Sequence, residues 1–204
     1  SFATGNVSGE EKTGGFAGQS YGTLENVYAD GTVEGNVEVG GLVGRNDAGG
    51  EVTDSYATGS VSESSNAGGL VGYDGGGTVT DGYWDSESTG QSSSAGSPDE
   101  NGLTTDEMEG LAATDNLNGF AFPDGDGAWH VTDSYPALAW EDTDPFFGVS
   151  VDSTNSPINE SETLDVTATV TNWGADGSQK ITLTDSGFDD SQRDSATVEL
   201  TSGE

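Results

Sequence analysis

The chain has 204 residues, with 37 acidic side chains against 4 lysines and arginines, for a formal charge of −33. Binding to nucleic-acid phosphates or to an anionic bilayer needs basic side chains, so composition argues against both partners. Cysteine is absent, which excludes disulfides and thiolate chemistry, and no run approaches the roughly 18 apolar residues of a membrane span.

In chain order the first feature is a repeat. An aromatic recurs at Phe2, Tyr28, Tyr56 and Tyr83, spaced by 26, 28 and 27 residues. A Gly-Gly-apolar-small-Gly phrase recurs at Gly14–Gly18, Gly40–Gly44 and Gly68–Gly72, and a further apolar position at Leu24, Val52 and Val79. Each unit reads as three short strand-like pieces. Of the 33 glycines, 21 fall before residue 84, a density that no helical repeat tolerates. The reading is a short parallel β-solenoid of about three coils over residues 1–90, with coils stacked about 4.8 Å apart. Four inward ladders are expected. They are Phe16/Leu42/Leu70, Val7/Val33/Val61, Leu24/Val52/Val79 and the aromatics Phe2/Tyr28/Tyr56/Tyr83. The glycines are expected at sharp corners, where positive φ or close backbone approach excludes a side chain.

Gly82–Gly102 begins as a fourth coil and dissolves into Ser and Gly, which reads as a loop or linker. Leu103–Ala113 predicts a short helix, with Thr104 and Glu107 as a capping box and Leu103, Met108 and Leu111 on one face. Phe120, Phe122, Trp129, Tyr135 and Trp140 then form the densest aromatic cluster. A helix and aromatic cap over residues 91–146, covering the open end of the stack, is the expectation. Residues 147–204 change period. Leu164, Val166, Ala168 and Val170 alternate, as do Ile181 with Leu183 and Val198 with Leu200, which predicts an immunoglobulin-like β-sandwich. It is incomplete, since about 100 residues make a full sandwich, so it ends early or takes strands from another chain. The whole is an all-β chain.

Little here points to catalysis. His130 is the single histidine and reads as a partly buried cap residue. Carboxylate pairs are too common in this composition to mark a hydrolase. Calcium is the candidate cofactor. Asp124 and Asp126, then Asp189 and Asp190, place hard oxygen ligands in loops, and a solvated acidic loop is the other reading of each. Asn6 and Asn159 begin possible glycosylation sequons.

The stretch GGLVGRNDAGGEVTDSYATGSV, Gly40 to Val61, resembles the GLUG repeat. The segments around GLTTDEM and YPALAW are similar to the region that closes such arrays. VDSTNSPINESETLDVTATVTNWG resembles the start of CARDB-type adhesion-associated sandwiches. The resemblance implies a secreted protein at the cell surface, with no catalytic residues to carry over from the family. Its partners would be copies of itself, neighbouring surface proteins or glycans. The expected function is structural or adhesive, with a filament or surface-layer subunit, or an accessory region of a secreted enzyme, as alternatives. Acids dispersed along the chain, with almost no lysine, fit a halophilic microbe of archaeal type, because molar salt screens their repulsion. The first residues already lie inside a repeat, which suggests a piece of something longer.

Overall fold

The computed structural model describes residues 1–62, 65–122, 127–141, 147–154, 165–172, 177–185 and 191–200, the last two ranges as strands. Short strands follow one another around each coil, and each pairs in parallel with its counterpart one repeat away. The first sheet runs Phe2–Ala3, Tyr28–Ala29, Glu51–Ala57, Thr78–Asp85 and Gly102–Leu103, with Thr23–Glu25 also on Glu51–Ala57. Val7–Ser8, Val33–Glu34 and Val61–Ser62 make the second. Glu11–Gly14, Val37–Gly40 and Ser65–Gly68 make the third, and Ala17–Ser20, Val43–Asp47 and Val71–Gly75 the fourth. The chain is therefore an all-β protein built on a parallel β-solenoid.

Four sheets form where the sequence suggests three pieces per coil. Val52 and Tyr56 share one continuous strand, whereas the Gly-Gly bend splits its phrase between the third and fourth sheets. The predicted ladders are in register. Val7 faces Val33 and Val33 faces Val61, Val52 sits between Leu24 and Val79, and Tyr56 between Tyr28 and Tyr83. Phe16 donates its N–H to the Leu42 carbonyl, and Leu42 to that of Leu70.

The expectation for the glycines holds in part. Gly49 and Gly76 are left-handed, with φ of 90° and 103°, but two columns that recur in every coil belong to other residues. Lys12, Glu38 and Asn66 form one column with φ of 53°, 56° and 60°. Asn26, Asp54 and Asp81 form another, at 51°, 46° and 50°. Asn and Asp accept this region more readily than other side chains. The repeat's glycines instead make room. A Cβ on Gly41 would stand 2.1 Å from the Gly69 carbonyl oxygen, and one on Gly69 would stand 1.9 Å from the Trp84 ring.

The second left-handed column redirects the aromatic ladder. Strict alternation from Val52 would carry Tyr56 inward with it. The kink at Asp54 shifts the alternation by one residue, which turns the following side chains to opposite faces. Ala57 therefore joins the coil interior with Val52, Leu42, Val43, Leu70, Val71 and Trp84. Tyr28, Tyr56 and Tyr83 point out of the coil and pack instead with Met108, Leu117, Phe120, Trp129 and Leu138. The expectation that the aromatics fill the interior is thus corrected. Trp84 occupies the ladder position of Ala29 and Ala57, and its fully buried ring fills the last coil.

The helical and aromatic segment covers the flank of the stack rather than its open end. Thr105–Met108 and Ala112–Asn116 are separate short helices, broken at Gly110, whose φ is 57°. The capping box forms, with the Thr104 N–H donating to Glu107 over 2.8 Å. The break leaves Leu111 42% exposed while Met108 is buried. Trp129–His130 pairs antiparallel with Ala137–Leu138 and lays Trp129 against Tyr28 and Tyr56, with ring centroids 6.1 and 5.5 Å away. Phe120 meets Tyr56 and Tyr83, and Trp140 stacks on Phe2. The segment is a strap across every rung of the ladder.

The far end of the stack is closed by the stretch read as a linker. Gly69 donates to the Ser93 carbonyl, Ala95 to that of Val71, and the Gln91 side chain to that of Val61. Beyond the strap, Phe147–Thr154 pairs antiparallel with Val166–Asn172, and Gly177–Asp185 with Ser191–Leu200. Val149 and Val151 are exposed on the first pair, and Leu164 lies outside the described residues.

Two contrasts are expected for unfolding measured by denaturant titration in molar salt. Gly41→Ala loses about 3 kcal/mol, because its Cβ would meet the Gly69 backbone and the buried Ala57 methyl, neither of which can swing aside. Gly22→Ala, which meets nothing within 4 Å, stays within about 0.5 kcal/mol of the parent. Trp129→Ala costs about 3–5 kcal/mol, whereas Trp140→Ala, 67% exposed, costs about 1 kcal/mol or less.

Candidate functional site

Two polar constellations stand out, one under the strap and one on the open side of the coils. The first centres on Asp85, a fully buried carboxylate at the end of the last long strand. Its Oδ1 caps the helix Ser86–Thr89, accepting the N–H groups of Glu87 and Ser88 at 2.8 and 2.9 Å. Its Oδ2 accepts the Thr105 hydroxyl at 2.6 Å and the phenol of Tyr135. One side chain therefore joins the coil, the closing turn and the strap. Burial alone would raise the Asp85 pKa, but the donors from Thr105, Tyr135, Ser88 and Glu87 outweigh it and hold the group below its ordinary value. Burial and then the bond to Asp85 push Tyr135 up to about 12.

The ladder phenols are tied in the same way. Tyr56 donates to the Pro136 carbonyl at 2.5 Å, Tyr83 to that of Asn118 at 3.2 Å, and Tyr28 to the Glu141 carboxylate at 3.0 Å. Burial raises the Tyr56 pKa far above its usual value. Asn26, of the left-handed column, accepts the Trp129 indole N–H at 3.0 Å.

The second constellation lies on the fourth sheet. Gln19, Arg45 and Tyr73 are in register, so three planar groups form one column. Arg45 stands 4.6 Å from the centre of the Tyr73 ring and pairs with Glu38 at 3.0 Å and Asp47 at 2.8 Å. Gln19 donates to Asp47 and to the Tyr21 hydroxyl, and Lys12 donates to Gln19 at 3.2 Å. Donation from Gln19, then Arg45, holds the Asp47 carboxyl below the usual range. This surface is densely hydrogen-bonded, although Glu38 Oε2 and Asn46 Oδ1 are buried without a partner. Each of its two acids is engaged through one oxygen or more by Arg45, and Asp47 also by Gln19. The sequence signal was present but unused: the residue after each phrase-ending glycine is Gln, Arg or Tyr.

Of the residues singled out from sequence, Asp124, Asp126, Asp189, Asp190 and Asn159 lie outside the described residues. Among the described residues no group of three or more His, Asp or Glu side chains is placed to hold a metal ion. Asn6 is exposed, and its Oδ1 accepts the Thr32 N–H at 3.0 Å. His130 is half-buried in the strap, and burial lowers its pKa. Two concavities lie among the described residues named here. One of about 660 Å³ is lined by Ser8, Glu10, Glu34, Asn36 and Ser62, and one of about 460 Å³ by Glu25, Asn26, Leu138 and Trp140. Asp85 and the Arg45 column were not anticipated. Asp85 was hidden because an acidic residue carries little information in so acidic a chain. Among the described residues no helix is long and apolar enough to cross a membrane.

The strap should loosen at both extremes of pH. Asp85 has a folded pKa below its ordinary one, so its stabilisation is complete above about pH 4 and is lost as pH falls through the folded value; Asp47, lowered likewise, acts in the same direction on the fourth sheet. Tyr135 is raised, so its stabilisation is complete below about pH 10 and is lost as pH rises through about 12. Asp85→Asn costs about 2 kcal/mol near neutrality and shrinks the acid-side loss. Near-UV circular dichroism of the aromatic ladder, followed against pH, measures both.

No curated protein and no solved structure matches the chain. Residues 9–34 and 35–62 each match the family described as the GLUG motif, so this part of the solenoid is built from GLUG repeats.

Proposed function

We propose that the chain is a non-catalytic structural module of a secreted surface protein, a short stiff spacer that holds adhesive or assembling parts at a set separation. The observation that carries this reading is the strap. Trp140, Trp129, Phe120 and Tyr135 bridge the aromatic rungs from Phe2 to Tyr83, so sliding or peeling one coil strains the contacts of all. A stack held only by neighbouring coils is a sum of local units, and a lateral clamp makes it one unit. The charge of −33 supports an environment of high salt, where the Debye length falls to about 3 Å at 1 M.

Pulling the chain by its termini in molar salt should release solenoid and strap in a single event. Trp129→Ala should lower that force and divide the event in two. Stepwise release of coils in the parent protein would contradict the spacer reading. Circular dichroism should show β-structure in molar salt and its loss in dilute buffer. An unchanged spectrum would count against the halophilic assignment.

A further inference from the structure

Asparagine is among the thermolabile residues of proteins. It is most reactive before glycine, because a glycine nitrogen has no adjoining side chain to shield it. The chain carries this pair twice, at Asn101-Gly102 and Asn118-Gly119. The fold treats the two differently. Asn101 donates its side-chain amide to the Gly82 carbonyl at 2.9 Å, and Gly102 donates its N–H to the Asp99 carbonyl. Gly102 also pairs with Trp84 and lies on the indole, where a Cβ would stand 2.7 Å from the ring. Neither the glycine nitrogen nor the amide beside it is free to move.

Asn118-Gly119 sits in the turn that joins the strap helix Ala112–Asn116 to Phe120, and both residues are exposed. The Asn118 side-chain amide reaches the Asn116 carbonyl at 3.5 Å, a long contact. Among the described residues the Gly119 N–H makes no hydrogen bond. The turn itself is anchored on both sides. Leu117 and Phe120 are buried in the aromatic seam, and the Asn118 main-chain carbonyl accepts the Tyr83 phenol at 3.2 Å. The Asp81 carboxylate lies against Gly119, where a Cβ would stand 2.5 Å from it.

We propose that Asn118 is a self-modifying site, at which the folded chain converts an amide into a carboxylate and thereby loosens the strap at its Tyr83 rung. The Gly119 nitrogen attacks the Asn118 Cγ. The N–Cγ bond forms as the Cγ–Nδ2 bond breaks, and Nδ2 leaves as ammonia with the proton that Gly119 gives up. Water then opens the cyclic imide. Opening at Cγ gives aspartate, and opening at the main-chain carbonyl gives isoaspartate. Aspartate adds a charge beside Asp81, a repulsion that molar salt largely screens. Isoaspartate also routes the main chain through Cγ. It lengthens the turn by one methylene between the anchored Leu117 and Phe120, and it takes the carbonyl that holds Tyr83 out of the main chain. Salt does not screen that change. Asn101, held in place by its bonds, reacts only as often as the structure around it opens. The inference concerns the lifetime of the strap and does not depend on the spacer reading.

The test incubates the folded full chain in molar potassium chloride, at mildly alkaline pH and below its melting temperature. Both sites are followed by peptide mapping with isoaspartyl methyltransferase labelling. Asn118 is expected to convert at least about tenfold faster than Asn101, since one hydrogen bond to break separates the rates by that much. In denaturant, where the fold shields neither site, the two rates should converge. Asn118→Gln should remove the labelled peptide and keep the parent's melting curve. The purified isoaspartate form should melt at a lower temperature than the parent, read by near-UV circular dichroism of the aromatic seam. Asn118→Asp, which changes the charge alone, should melt nearer the parent. An Asn118 amide that survives in the folded chain as long as that of Asn101 overturns the proposal. So does an isoaspartate form that melts with the parent.

Discussion

One of the left-handed positions in each coil, at Asn26, Asp54 and Asp81, decides where the rest of the protein goes. Without it, the strand that carries Val52 would also carry Tyr56 into the interior. The coil would then need to be wide enough for a stack of rings. With it, Ala29 and Ala57 take the interior position and the rings turn outward. The interior can then be narrow enough for valine, leucine and alanine against paired glycines. An exposed ladder of rings in turn needs a cover, and the strap supplies it. The same column also holds part of that cover directly, since Asn26 accepts the Trp129 indole.

This arrangement explains how so acidic and apolar-poor a chain keeps a core. The chain divides its apolar residues between a thin coil interior and a seam of larger aromatic groups. Aromatic side chains bury about 150–250 Å² each, so a few rings in the seam offset the scarcity of leucine and isoleucine. The phenols keep a polar end that reaches Pro136, Asn118 and Glu141, so burial leaves these groups bonded. Asp85 is the counterpart among the acids. It stands in a stable buried position because four donors surround it.

The finishing of the far end follows from one substitution in the repeat. Where two coils have Ala29 and Ala57, the last has Trp84, and the chain that follows folds back over the edge. The glycine opposite it, Gly69, lies flat against the indole. The two polar constellations sit on different faces of one rigid frame and serve different ends. The Asp85 centre locks the strap, and the Arg45 column neutralises acids that parallel stacking brings close together.

Much of this was legible from residues alone. Equal spacing of the aromatics, the valines and the Gly-Gly phrase determines a parallel solenoid and its register, because a coil can bury its apolar slots only against another with the same slots. The capping box at Thr104 and Glu107 was legible for the same local reason. Which face the aromatics occupy was not. It depends on one φ angle at Asp54, and aspartate is as common on this chain's surface as at its kinks. Whether the glycines turn the chain or make room for it, and whether the aromatic segment covers an end or a flank, also waited on the tertiary structure. Both depend on contacts between residues tens of positions apart, such as Gly69 with Trp84 and Tyr28 with Glu141, which no local pattern encodes.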